Sequence, residues 1–147
     1  MGERRGYVMR VIPHLIGDRG ESGQALVELA LVMLVLMTLV FGALEIGRMV
    51  NAWAIVTQAS REGARVGAAR CTLDAGCEMT VRASVENSLA GLPVAEARWV
   101  MDGGPYRAGD PITVRVEFDV VPVTPLIAAF VPGGAMTVVG ETTMRLE

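Results

Sequence analysis

From Ala25 to Leu44 the chain runs 20 residues with a single charged side chain, Glu28. As an α-helix that run rises ~30 Å, about the hydrocarbon thickness of a bilayer. A soluble core helix is shorter, or polar on one face. The run therefore predicts one membrane-spanning helix over residues 24–44, and every other element must lie on one side of it or the other. Glu28 is the exception within it. A carboxylate costs up to ~3 kcal/mol at the bilayer centre and less towards its edge. Two readings of Glu28 stay open: an acid in the hydrated headgroup region, or an acid that meets a cation inside the membrane.

A chain of 147 residues leaves room for one modest domain besides the span. The hydrophobic share of 52% sits largely in the span and implies no large core. Every basic side chain is arginine. Residues 1–23 carry Arg4, Arg5, Arg10 and Arg19 against Glu3, Asp18 and Glu21, a net charge of +1. From Cys71 onward five arginines face ten acids, a net charge of −5. That acidity argues against a nucleic-acid or anionic-membrane partner. Arginines flank the span on both sides, so charge alone sets no orientation.

The cysteines are more informative. Cys71 and Cys77 are the only two, and both follow the span. Joined, they close a loop over Thr72–Gly76, worth about 2 kcal/mol by chain entropy. Disulfides persist outside the cytoplasm, which favours an outward C-terminal part; two free thiols are the alternative. A zinc site needs two more ligands, and the sole histidine, His14, precedes the span. No metal is expected.

Residues 1–23 are too long and too mixed in charge for the start of an ordinary secretory signal. Their apolar patch Val8–Ile16 is interrupted by Pro13 and is expected to be unstructured. Met9 is an alternative start. Val40-Phe41-Gly42 offers a weak ordinary signal-peptidase site, but the apolar stretch exceeds the usual ~7–15 residues of a removable signal.

Past Leu44, Ile46, Met49, Val50, Trp53, Val56, Ser60, Gly63 and Gly67 recur at spacings of three and four, one face of a continuing helix. No proline stands between Gln24 and Arg70, so a single helix of about 47 residues is expected, its second part (45–70) leaving the membrane as a stalk. Gly63 and Gly67 are spaced to admit a close backbone, most simply the chain's own C-terminal sheet. Arg61 and Arg65 share a face, with Glu62 between turns; a solvated surface and an intersubunit ion pair both fit.

Residues 71–147 read as a small α+β head. Thr80–Ala90 is an amphipathic helix with Val81, Val85 and Leu89 on one side, ended by Gly91 and Pro93. Strands are predicted over Val94–Met101, Ile112–Val120 and Met136–Leu146, with a loop or short helix at Leu126–Val131. In the middle strand Ile112, Val114, Val116, Phe118 and Val120 alternate with polar residues, as in a half-buried antiparallel strand. A three-stranded sheet with one apolar face needs a cover, and Trp53 to Gly67 of the long helix is the expected one. The fold class is α+β, a long N-terminal helix packed against a small antiparallel sheet.

Gly23-Gln24, with Glu28 at the fifth position after the glycine and a long apolar helix beyond, resembles the processing signal of type IV pilins. Leu44-Glu45-Ile46-Gly47-Arg48 followed by Gln58-Ala59-Ser60-Arg61-Glu62-Gly63-Ala64-Arg65 resembles the TadE-like family, pseudopilins or minor pilins of the tight-adherence (Flp, type IVc) pilus system. Leu29 stands where an aromatic often follows the glutamate in that family. The resemblance implies that prepilin peptidase cuts between Gly23 and Gln24, removing a cytoplasmic leader 1–23. It implies that Glu28 then pairs with the freed amino terminus of a neighbouring subunit and sets the stagger between helices. The implied partners are the inner membrane, other pilin and pseudopilin subunits, the peptidase and the assembly machinery; the implied role is surface attachment and biofilm formation.

No serine elbow, phosphate loop or His-Glu metal pair occurs. The chain is therefore expected to be no enzyme, to need no cofactor and to take no small-molecule substrate. Asp102, Asp110, Glu117 and Asp119 match no calcium-loop spacing. The rival to a polymerising subunit is a single-pass membrane-anchored envelope binding module that never polymerises.

Overall fold

The computed structural model describes residues 19–73 and 76–147; the expectations for Val8–Ile16, Met9 and His14 fall outside them. The chain divides into two units, the first ending at Leu39 and the second running Val40–Glu147. Helix α1, Arg19–Arg70, passes through both. It runs through the expected Gln24 to Arg70 without a break, with no proline along it. In the first unit every described side chain from Gly23 to Leu39 is exposed.

The second unit holds the sheet. After α1 come α2 (Cys77–Ser88), a 3-10 turn (Val94–Glu96), β1 (Arg98–Asp102), β2 (Pro111–Val120), α3 (Pro125–Ala128) and β3 (Met136–Arg145). The strands are antiparallel in the order β1-β2-β3, with Trp99 opposite Val116 and Val116 opposite Gly140. The first strand is shorter than expected. Pro93 initiates a turn whose bonds, Glu96 N–H to Pro93 O and Ala97 N–H to Val94 O, hold Val94–Glu96 out of the sheet.

The alternation in β2 places Ile112, Val114, Val116, Phe118 and Val120 in the core. Val138, Gly140 and Leu146 of the third strand and its end join them, and Val81 and Val85 of α2, with Leu89 just past its end, close one side. The covering face of α1 is where expectation and structure part. Of the expected cover, Trp53 to Gly67, the structure buries Val56, Ser60, Gly63 and Gly67, but Trp53 is 53% exposed, and Ile46 and Val50 earlier on the same stripe are 59% and 54% exposed. The buried line runs through Ala52, Val56, Ala59, Ser60, Gly63, Ala64, Gly67 and Ala68. At ~100° per residue Trp53 lies ~100° round the helix from Ala52 and ~60° from Val56, the buried residues nearest to it along the line. The reason is distance: a Cβ on Gly140 would fall 2.6 Å from the Val56 carbonyl oxygen, so sheet and helix backbones nearly touch. Such an approach selects alanine, glycine and serine over large apolar side chains.

Gly63 and Gly67 are used in the same way within the chain. An added Cβ at Gly63 would meet Val85 Cγ2 at 2.6 Å and Val114 Cγ1 at 3.1 Å; at Gly67 it would meet Ile112 Cδ1 at 2.6 Å. Buried Ser60 gives its hydroxyl proton to Thr57 O at 2.9 Å and meets the Thr142 hydroxyl, also at 2.9 Å. Ser60 is thereby satisfied, whereas the buried Thr57 hydroxyl one turn before it has no hydrogen-bond partner among the described residues.

Cys71 and Cys77 form a disulfide with Cα atoms 5.1 Å apart, joining the end of α1 to the start of α2. Both are buried. Replacing both by alanine should destabilise the second unit by about 2 kcal/mol, lowering its melting temperature by roughly 10 °C. Thermal unfolding with and without reductant measures this: reductant should affect the natural chain and leave the variant unchanged.

Candidate assembly surface and loop anchor

The residues singled out from the sequence fall in three places. Gly23, Gln24 and Glu28 lie on α1 in the first unit, all exposed. Around Gly23 no atom lies within 4 Å of where a Cβ would stand, so no packing in the described fold requires glycine there. Leu26, Val27, Leu29, Leu31 and Leu34 are among the exposed apolar side chains that follow. The described residues contain one helix long and apolar enough to cross a membrane.

Arg61, Glu62 and Arg65 lie on the second part of α1. Glu62 and Arg65 pair within the helix: Arg65 Nε donates to Glu62 Oε2 at 2.9 Å, and Nη2 approaches Oε1. The Arg65 guanidinium holds the Glu62 carboxyl below its usual range, and the carboxylate raises Arg65 in turn. Arg61 is exposed beside them. Gly63 and Gly67 face α2 and the sheet, in line with the simpler reading of their spacing, contact with the chain's own C-terminal sheet. They are therefore unavailable to another subunit. Cys71 and Cys77 tie the two helices.

The outer face of the sheet carries a run of ion pairs and hydrogen bonds, within β2 and across the strands. Arg98 Nη1 donates to Asp119 at 2.9 Å, Arg115 pairs with Glu117 at 2.8 Å and Glu141 at 3.3 Å, and Thr137 donates to Asp119 at 2.6 Å. Glu117 and Asp119 are thus matched by arginines. Exposed pairs of this kind contribute little to stability.

Glu45, which in the sequence stands in the Leu44-Glu45-Ile46-Gly47-Arg48 motif with no role assigned to its side chain, proves central. Glu45 is 7% exposed. Its Oε1 accepts the Val123 N–H at 2.7 Å, the Thr124 N–H at 2.9 Å and the Thr124 hydroxyl at 3.1 Å. Its Oε2 accepts from Arg48 Nη1 at 3.0 Å, and the same guanidinium reaches Val121 O at 3.4 Å. The Thr124 amide is the largest influence lowering the Glu45 carboxyl below its usual range, opposed by burial and helped by Val123 and Arg48. Because the folded value is lowered, the anchor is complete at neutral pH and is lost as pH falls through that lowered value. The sequence signal was present: Glu45 is the first charge after the apolar run, followed three residues later by an arginine. The partners lie 78 and 79 positions away, where no local pattern points.

Glu45 and Arg48 belong to the motif Glu-x-Gly-Arg, and Arg61–Arg65 to the one that follows it. Residues 23–65 match the TadE-like protein family model. The TadE-like segment begins at Gly23 and ends at Arg65, so it takes in Glu28, the apolar run, the loop anchor and the Glu62–Arg65 pair. No significant match was found among curated proteins or among solved structures.

Proposed function

We infer that the chain is a pilin-like subunit, a minor pilin or pseudopilin, that supports assembly of tight-adherence type IVc pili and thereby surface attachment. The TadE-like match over the helix and its flanking motifs carries this reading. In it, the leader is cytoplasmic, the segment 24–44 crosses the inner membrane, and the disulfide-bearing sheet unit lies outside, where an oxidised pair persists. The work done is structural rather than catalytic. Prepilin peptidase cuts between Gly23 and Gln24, and the new amino terminus of one subunit meets Glu28 of the next. Opposite charges at that depth offset the desolvation of each other and fix the stagger between helices.

The exposed line Ile46, Val50 and Trp53 supports the same role. It continues the apolar surface beyond the span on a side of α1 that the chain's own sheet leaves uncovered. Apolar side chains at spacings of four and three are suited to a neighbouring helix. Gly23 has no packing reason to be glycine, which fits recognition by a peptidase, but Gly42 stands equally free. The mass of the protein recovered from native membranes decides between the two. An amino terminus at Gln24 is expected. An intact leader, or a start near Gly42, removes the cation that Glu28 requires and overturns the reading.

A further inference from the structure

The segment between β2 and β3 has a composition unlike the rest of the sheet unit. No charged residue stands between Asp119 and Glu141. Within it Val121, Val123 and Phe130 are 59%, 74% and 80% exposed. An acidic domain that otherwise covers its outer strands with ion pairs thus displays three large apolar side chains on one uncharged loop. Scattered singly such residues mean little, but grouped on one loop they mark a contact.

The position of the loop says what it contacts. Its start is bound through two amides and a hydroxyl to Glu45, one residue after the apolar run ends at Leu44. A helix advances ~1.5 Å per residue and its side chains tilt towards the N-terminus, so this carboxylate leans back towards the apolar run. Arg48, which shares the anchor, is half-exposed at the same level. Basic residues placed just past a span are suited to lipid phosphates.

We propose that the Val121–Val131 loop is a second membrane contact, which sets Val121, Val123 and Phe130 into the headgroup boundary beside the span. Glu45 is the positioning residue that holds it there. The contact is apolar, so the acidic residues elsewhere in the sheet unit do not oppose it. Its consequence is to fix the sheet unit against the bilayer surface through two points rather than one. The inference rests on the membrane-spanning reading of Ala25–Leu44.

The test uses the full natural chain in vesicles of phosphatidylethanolamine and phosphatidylglycerol, with a bilayer-dissolved photoactivated carbene as probe. Labelled peptides are then quantified by mass spectrometry. The Val121–Val131 peptide should be labelled about fivefold more than the peptide holding Leu73 and Met79, since only the former lies in lipid. The comparison is fair because Leu73 and Met79 are 86% and 79% exposed, as open as Phe130. Label confined to Ala25–Leu44 overturns the loop contact and leaves the span standing. No label in either segment overturns both. A loop without label that cross-links to the same loop of another chain assigns the patch to a second copy, and overturns the lipid assignment.

Discussion

Replacing Gly140 by alanine lowers the melting temperature of the sheet unit by about 15 °C, the result of a loss near 3 kcal/mol. The added Cβ would fall 2.6 Å from the Val56 carbonyl oxygen and 2.8 Å from the Thr57 Cα and N. All three are helix backbone atoms, and none can rotate away. The sheet must retreat from α1, and with it Val114 and Val116, which are fully buried. Gly67→Ala is the matched comparison. There the nearest atom is Ile112 Cδ1, the end of a side chain that can turn aside, and the cost should stay near 1 kcal/mol. Thermal unfolding followed by circular dichroism separates the two variants. Equal melting temperatures for Gly140→Ala and the natural chain would show that helix and sheet do not meet this closely.

Glu28→Ala should leave trimming after Gly23 intact and reduce surface fibre at least about tenfold, because a buried cation left without its partner is far more costly than the pair. Glu28→Gln should do nearly the same, since the amide keeps the shape and loses the charge. Two readouts are needed: the mass of the amino terminus, and the amount of fibre sheared from cells. Trimmed protein with fibre at natural levels refutes the registering role. Untrimmed protein would instead place Glu28 in recognition by the peptidase. The effect should exceed that of any exposed ion pair on the sheet, because lipid screens charge far less than water does.

Much of the architecture can be read along the chain because it depends on neighbours. The span follows from the length of an uncharged run, and the burial of Ile112, Val114, Val116, Phe118 and Val120 from a period of two. Val81, Val85 and Leu89 follow from a helical period, and the close approach at Gly63 and Gly67 from the absence of side chains. The cysteine pair was legible as an option, and its bond is present. Each of these rests on local geometry, where spacing alone determines which side chains share a face.

Two features had to wait for the folded chain. The helical stripe includes Val56, Ser60, Gly63 and Gly67, which the structure buries, but it also includes Ile46, Val50 and Trp53, which the structure leaves exposed while burying Ala52 and Ala59. Apolar character says that a side chain prefers to leave water, but not whether it goes into its own core or against another molecule. The separation of two backbones decides that, and it is a property of helix and sheet together. Likewise Glu45 was visible as a charge at the end of the span, while its hold on Val123 and Thr124 arises only when β2 brings them back beside the helix. A carboxylate's partners are set by whichever amides the topology delivers, and contacts across nearly eighty residues leave no periodic trace in the chain.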